Sequence, residues 1–507
     1  MQALQKIDLK FNNNQKLITI LIAVFILKGI FYAAYVMPLT IAVSPDDVGH
    51  FSYIQYIAAE RRLPIHGYSE MEVSTLNAHL AYRYAGEVVD FIIGEENFDS
   101  GRHNWISQHP PLYYILMAIV YSIASLFTRQ FSTMILILRL ANLAFGVASL
   151  VYIHKILNEL NAKDVVRKGI LIFFVFSAPL QFFFSAISND SMLIFVCIFA
   201  LYYLIKYMNT NRLKHFVIFV IGSALIFATK YNGFMVMLTY VAFFLYYSLR
   251  HNEIKETIKL SLIGVPIGLC IILPDLLFNY FAIGRVFAND GGVISHIGTD
   301  IRHDYPFYHF LFRTNYITYV TRHIIFLIGA WDVAVSAGFF EERIFGMLFL
   351  LLSMIHFFKC KNRIHACLIL LAGTVGFVFI RYIIAIAGLT TGVGIIVTCM
   401  FFILCFSVLK SGCLEGKQRE IQWLFIATLV IMVAVYVNTH YGIFRQHRVL
   451  RALHGRYYYI AFFPFAYLVF NQLGEVKSKA IRFAPAALML VLVFVELHAI
   501  TRTVGVW

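Results

Sequence analysis

The sequence predicts an all-α polytopic membrane protein of about thirteen transmembrane helices, and three observations lead there. First, 60% of its 507 residues are hydrophobic and only 13% are charged, with a mean hydropathy of +0.75. A soluble chain of this size carries about a quarter charged residues. Second, the apolar residues come in long runs close to the ~20 that a hydrocarbon core requires, not in amphipathic stripes. Third, 22 of the 41 Lys and Arg lie in seven short segments between those runs: 6–16, 155–168, 206–214, 250–259, 359–363, 410–419 and 477–482. Alternate loops that share a basic character are the pattern of the positive-inside rule. These features exclude a soluble enzyme, a disordered chain and a disulfide-stapled secreted scaffold. The net charge of +14 does not imply nucleic acid as a partner. It sets topology and attraction to anionic membrane lipids.

Apolar runs placed against the basic loops give spans near 17–43, 133–154, 169–187, 191–207, 215–229, 233–249, 260–281, 344–358, 364–386, 392–409, 421–437, 457–473 and 480–498. With the basic segments inside, the N-terminus is cytoplasmic and the C-terminus external. That parity requires the apolar stretch 112–127 not to cross but to lie along the outer surface or re-enter it. The first span carries Lys28 near its middle and has no convincing small-residue cleavage site, so it reads as an uncleaved anchor. Three segments then fall outside: 44–132, 282–343 and 438–456. They hold most of the histidines and none of the seven cysteines (Cys197, Cys270, Cys360, Cys367, Cys399, Cys405 and Cys413), so no external disulfide is expected. Two modules are expected: 1–281, with spans one to seven and the large first loop, and a C-terminal membrane module, 282–507.

The residues that could carry chemistry begin where the first span emerges, at Ser44-Pro45-Asp46-Asp47-Val48-Gly49-His50. The adjoining stretch, 51–64, reads as an amphipathic interfacial helix with a basic end. Ser44 suits an N-cap, Pro45 a first helical position, and Asp46 and Asp47 the positive end of the helix dipole. Capping accounts for one acid. A carboxylate fixed there at the membrane surface would also serve as a base, and Asp46 and His50, four apart, would share a face. At the far end of the loop, Gln108-His109-Pro110-Pro111-Leu112-Tyr113-Tyr114 starts another helix; His109 could contact a phosphate or a sugar. Ser188-Asn189-Asp190, between the third and fourth spans, returns a further acid to the same depth. Asp190 is either a turn residue and helix cap or the partner that orients a reactant.

Cations mark the outer ends of later spans: Arg139, Lys230 and Arg456. A charge well inside a bilayer costs about 2.5–3.5 kcal/mol and is usually paired or functional, whereas at a span end snorkelling suffices. Three outer cations would suit a lipid phosphate. Lys28, Asp275 and Arg381 also fall within spans, with no partner assignable from sequence.

With these residues in place, the chain resembles the GT-C superfamily of integral-membrane glycosyltransferases, in the branch of protein O-mannosyltransferases and the lipid A aminoarabinose transferase. The resemblance rests on Pro45-Asp46-Asp47, His109-Pro110-Pro111-Leu112-Tyr113-Tyr114, Arg139-Leu140, Asn189-Asp190, Thr229-Lys230-Tyr231 and Gly455-Arg456-Tyr457. It covers about the first 235 residues well and the rest loosely. It implies a polyprenyl-phosphate sugar donor and an inverting single displacement, with the aspartate at position 46 as base. Asp47 stands where family members often have Glu, so either acid could be that base. Gln108 stands where some members place an acid, which weakens a metal-site reading; no obligate metal and no cofactor are expected.

On this reading Asp46, Asp47 and Asp190 are catalytic, while Arg139, Lys230 and Arg456 hold the donor phosphate. His50, His109 and Tyr113 contact substrate. The acceptor would be a lipid, a glycan or a protein, at the periplasmic face of a bacterial inner membrane. An outward-facing site fits this donor independently, because nucleotide sugars are not expected there. Two other classes stay open. A lipid-linked sugar flippase would also bind phosphate through outer cations, but no matching interrupted halves are evident. A glycan polymerase or ligase of another type would rest on Arg445, Arg448, Arg451 and Arg456. Activity retained after neutralising Asp46 and Asp47 would favour it.

Overall fold

Helix α1 (Gln2–Phe31) contains no proline and runs without a break until it widens into a π-turn, Tyr32–Val36. There the Met37 amide donates to the Tyr32 carbonyl at 3.0 Å, five residues back instead of four. Pro38 comes next, and a proline brings no amide to continue either register. The first span therefore ends at Val36, short of the residue 43 expected from hydropathy. The computed structural model describes residues 2–37, 39, 47–71, 104–252, 254–288, 416–447, 459–474, 483–490, 492, 493 and 496.

Helix α2 (Asp47–Glu60) starts four residues before the amphipathic stretch expected at 51–64 and is more enclosed than its sequence suggests. Its first nine residues, Asp47 to Gln55, are all buried, and only the end of the helix reaches the surface, before Arg61 turns the chain at φ +53°. The reason is what covers it. Helix α3 (Leu112–Ser125) packs along one side, and a 3-10 turn, Trp105–Gln108, sits over Gly49. A Cβ at Gly49 would collide with the Ile106 side chain, so glycine is what lets the two segments meet. Asn104 locks the contact, donating from Nδ2 to the Gly49 carbonyl (3.0 Å) and accepting the Ile106 amide at Oδ1 (2.9 Å).

Helix α3 is 14 residues long, about 21 Å, and cannot span the ~30 Å of a hydrocarbon core alone. It buries Tyr113, Tyr114, Met117 and Ala118 while leaving Ile115, Leu116, Ile119 and Ile123 exposed.

The bundle proper consists of α4 (Phe131–Glu159), α5 (Asp164–Phe176), α6 (Ala178–Ser185), α7 (Asn189–Thr210), α8 (Leu213–Thr229), α9 (Phe234–His251), α10 (Ile254–Ile283), α11 (Gly416–His447) and α12 (Phe462–Leu473). Among the described residues no β-strand occurs, and six helices are long and apolar enough to cross a membrane, or seven counting one bent pair. That pair corrects the expected continuous span at 169–187. Helices α5 and α6 meet at 54°, with Ser177 extended (ψ 108°) and Pro179 in the first turn of α6. Proline lacks the amide that would carry the α5 ladder onward, so the helix must restart.

The chain beyond residue 288 is described in part. The expected spans at 344–358, 364–386 and 392–409 lie outside the described residues. Helix α11 continues to His447, but its stretch apolar enough to cross ends at Asn438, close to the span end expected at 437. Helix α4 packs on α7, α7 on α8 and α8 on α10, while α1 lies against α4 and α6. Small residues permit the closest approaches: a Cβ at Gly146 would fall 2.5 Å from the Phe25 ring. Phe25, Phe174 and Phe184 pack as a ring cluster beneath.

Candidate functional site

Both ends of the bundle carry charge, but of different kinds. One end is basic and partly exposed. There Lys206 pairs with Glu159, Lys168 with Asp164 at 2.8 Å, and Lys417 donates to the Met208 carbonyl at 2.6 Å. At the other end, acids and cations are paired in the interior.

Two such pairs define the site. Arg139, fully buried on α4, lies 3.8 Å from Asp47 at the start of α2. Its Nη1 donates to the Ala33 and Met37 carbonyls, both at 3.2 Å. The π-turn makes this possible. In its register the donor for Ala33 would be residue 38, which is proline, so that carbonyl is left for Arg139. Asp190, in the first turn of α7, pairs with Lys230 at the end of α8, Oδ1 to Nζ 2.7 Å, with both side chains almost fully buried. The cap of α7 is Ser188, whose Oγ accepts the Asp190 amide at 3.2 Å, so Asp190 is not the cap. An acid at a helix start and a lysine at a helix end each complement the local dipole.

Tyr113 reaches the site through Asn142. Its phenol donates to Asn142 Oδ1 (3.2 Å). Burial first, then the Asp47 charge, and then that of Asp190 hold its proton far more tightly than an ordinary phenol; the Ser188 amide, which donates to it, opposes this. Asn142 sits three residues after Arg139 on α4 and acts as a hub. Its Nδ2 lies within hydrogen-bonding distance of the Ala186 carbonyl (2.6 Å), Ser191 Oγ (2.6 Å) and the Phe183 and Phe184 carbonyls (3.3 and 3.4 Å). One side chain thus holds the C-terminal carbonyls of α6 and anchors α7.

An aromatic group flanks the acids. His50 Nδ1 is 2.9 Å from the Tyr114 hydroxyl and the two rings stack. Tyr114 stacks on Tyr53 at 3.9 Å, and Tyr53 donates to the His109 carbonyl at 3.4 Å. Next to Lys230, Tyr231 donates to Asp275 Oδ2 (2.8 Å) and accepts from Asn279 Nδ2 (3.0 Å). Burial, and secondarily the Asp275 charge, raise the pKa of Tyr53. The Asn189 carboxamide is fully buried, and neither polar atom has a hydrogen-bond partner among the described residues. Among those residues no three His, Cys, Asp or Glu converge as a metal site would require.

The structure thus brings together Asp47, Arg139, Tyr113, Asp190 and Lys230, with His50 and His109 in the neighbouring layer. Asp46 and Arg456 lie outside the described residues, as does Arg381. Tyr114, Asn189 and Tyr231 stood in the quoted motifs without a role of their own, and no role was assigned to Asn142 or Tyr53. Asn142 carried a usable signal: a carboxamide inside an apolar span, one turn from a buried arginine.

Residues 108–278 match a family described as dolichyl-phosphate-mannose-protein mannosyltransferase. The match spans His109, Tyr113, Arg139, Asn142, Asp190, Lys230 and Asp275, with Asp47 on its N-terminal side. Among solved structures, the chain is similar to ArnT from Cupriavidus metallidurans bound to undecaprenyl phosphate, at 12% identity and a TM-score of 0.40, over 94% of this chain and 77% of that one. The apo state of the same protein gives 13% identity and a TM-score of 0.38, over 90% and 77%. No curated protein matches.

Proposed function

We propose that this protein transfers a sugar from a polyprenyl-phosphate donor to an acceptor at the external face of a bacterial inner membrane, by a single inverting displacement. The observation that carries the reading is a pair of buried acid–cation contacts, Asp47–Arg139 and Asp190–Lys230, joined through Asn142, which stands one turn from Arg139, accepts from Tyr113 and donates to Ser191 beside Asp190. The family matched by residues 108–278 bears the name of a lipid-linked sugar donor, dolichyl-phosphate-mannose. The clustering of exposed basic residues at the opposite end of the bundle supports an outward-facing site.

In this mechanism an acceptor hydroxyl or amine attacks the anomeric carbon as the bond from that carbon to the phosphate oxygen breaks. The acceptor proton passes to Asp47 or Asp46, and the electron pair of the broken bond leaves with the polyprenyl phosphate. Lys230 and Arg139, with Arg456, stabilise the charge that develops there, in a site that excludes water. Asp190 orients Lys230 toward the phosphate, and Asn189 offers a donor and an acceptor to a sugar hydroxyl. Arg139 is held by fixed carbonyls and by Asp47, so it is preorganised and need not be recruited.

The test is mass spectrometry of lipid-linked sugars and surface glycans in a strain lacking the protein, complemented with wild type, Asp46→Asn or Asp47→Asn. One polyprenyl-phosphate sugar should accumulate and one modification vanish, and only wild type and at most one of the two variants should reverse both changes. General-base loss should slow transfer by about 10²–10⁴-fold. Full complementation by both single variants and by the double Asp46→Asn/Asp47→Asn would refute the mechanism.

A further inference from the structure

Lys28 stands about 12 Å below the end of its span, eight residues before Val36. It is held by three contacts. Its Nζ lies 2.8 Å from Glu496, donates to the Val175 carbonyl at 3.1 Å near the break between α5 and α6, and sits 4.9 Å over the Phe176 ring. One turn on, Tyr32 donates its phenol to the other Glu496 oxygen at 2.9 Å. Glu496 is buried and comes from the far end of the chain, 464 residues from Tyr32. A carboxylate at this depth is costly unless paired, and here a lysine and a tyrosine spaced i and i+4 both clasp it.

Tyr32 is also the first residue of the π-turn. Its carbonyl accepts the Met37 amide at 3.0 Å, which fixes the wide register. That register presents Ala33 and Met37 to Arg139, and Arg139 faces Asp47. A continuous set of contacts therefore runs from Glu496 through Tyr32 and the π-turn to the site arginine. We propose that Lys28, Tyr32 and Glu496 are positioning residues: the C-terminal segment, through Glu496, sets the π-turn and hence the placement of Arg139 for a lipid phosphate. The inference rests on the function proposed above for Arg139, and its consequence is that an intact C-terminal module is needed for phosphate affinity.

The experiment is a double-mutant cycle on the full-length protein in lipid nanodiscs, with undecaprenyl phosphate as the probe. Tyr32→Phe removes one hydroxyl and leaves both charges of the ion pair in place. Affinity and thermal midpoint are read for wild type, Tyr32→Phe, Arg139→Gln and the double variant. Tyr32→Phe should weaken binding about 5–10-fold per folded molecule, and this loss should shrink to less than about 2-fold in the Arg139→Gln background. Glu496→Gln should behave as Tyr32→Phe does, whereas Lys28→Arg, which keeps the charge, should restore most of the affinity lost in Lys28→Met. Equal losses in both backgrounds, or a Tyr32→Phe variant that binds as wild type, would overturn the proposal. A purely structural role would lower the thermal midpoint without changing affinity per folded molecule, and that result also overturns it. If wild type does not bind undecaprenyl phosphate, the proposed function fails instead. The thermal cycle then still decides the relay: non-additive midpoints for Tyr32→Phe and Arg139→Gln support it, and additive ones do not.

Discussion

Removing Lys230 tests whether the Asp190–Lys230 pair serves the fold or the reaction. The two side chains are 3% and 4% exposed and meet at 2.7 Å. Breaking a buried pair by deleting one partner costs about 3–5 kcal/mol, because the other charge is stranded. Here part of that cost is offset, since Asp190 lies in the first turn of α7, where the dipole stabilises an anion by about 0.3–1 kcal/mol. Lys230→Met should therefore lower the unfolding free energy in mixed micelles by about 2–5 kcal/mol. The double variant Asp190→Asn/Lys230→Met strands no charge and should recover most of that loss, to within about 1 kcal/mol of wild type. Transfer should not recover with it. Losing an electrostatic donor at the leaving phosphate costs about 10²–10³-fold in rate. Stability is read by denaturant titration, and transfer by release of polyprenyl phosphate from the donor that the glycan analysis identifies. If activity returns together with stability in the double variant, the pair is structural and Lys230 has no part in the chemistry.

The same geometry sets three further expected outcomes. Asn142→Leu keeps the branched shape but strands the Ala186 carbonyl and removes the acceptor of the Tyr113 proton, so it should destabilise the protein by about 2–3 kcal/mol in the same titration. Asn189→Ala should move stability and activity in opposite directions. It deletes a buried carboxamide that has no partner among the described residues, so the fold should gain up to about 1–2 kcal/mol, while KM for the donor rises. Gly49→Leu should force α2 from the 3-10 turn and cost about 1–3 kcal/mol, partly relieved by Ile106→Ala.

Class, segment order and the acid-bearing loops were legible in the sequence because hydropathy and basic loops report the bilayer directly. Span ends were less so. The helix at 17–43 stops at Val36 and the one at 169–187 breaks at Ser177, since both depend on where a proline withholds an amide within an otherwise apolar run. The burial of α2 was hidden for another reason. Its charged end at Glu60 to Arg62 is amphipathic in character, but its first half is enclosed by the 3-10 turn and α3, a tertiary contact that no local pattern records. Within the site, residues chosen by charge were found paired: Asp47 with Arg139 and Asp190 with Lys230. Uncharged members such as Asn142 and Tyr114 were given no role, because a single carboxamide or phenol carries no charge cost to draw attention. Lys28 could not be matched from sequence at all, its partner lying 468 positions later at Glu496.

The irregular backbone and the functional side chains of this protein explain one another. Hydrocarbon leaves no water to satisfy a main-chain carbonyl, so a broken helix inside a membrane needs a side chain as its partner. The π-turn of α1 presents Ala33 and Met37, which Arg139 takes. The end of α6 releases Ala186, which Asn142 takes. Both partners stand on α4, three residues apart and thus on one face, so a single straight helix supports two broken ones. This fixes Arg139 before any ligand arrives, which is the preorganisation that electrostatic stabilisation of a departing phosphate requires. It also means that Arg139→Ala removes a backbone partner together with a charge, so lost activity in that variant cannot by itself be read as lost chemistry. Arg139→Lys can still donate to one of the two carbonyls. A Lys variant that keeps the fold and loses phosphate affinity would separate the two roles; equal loss of both would assign Arg139 to the scaffold.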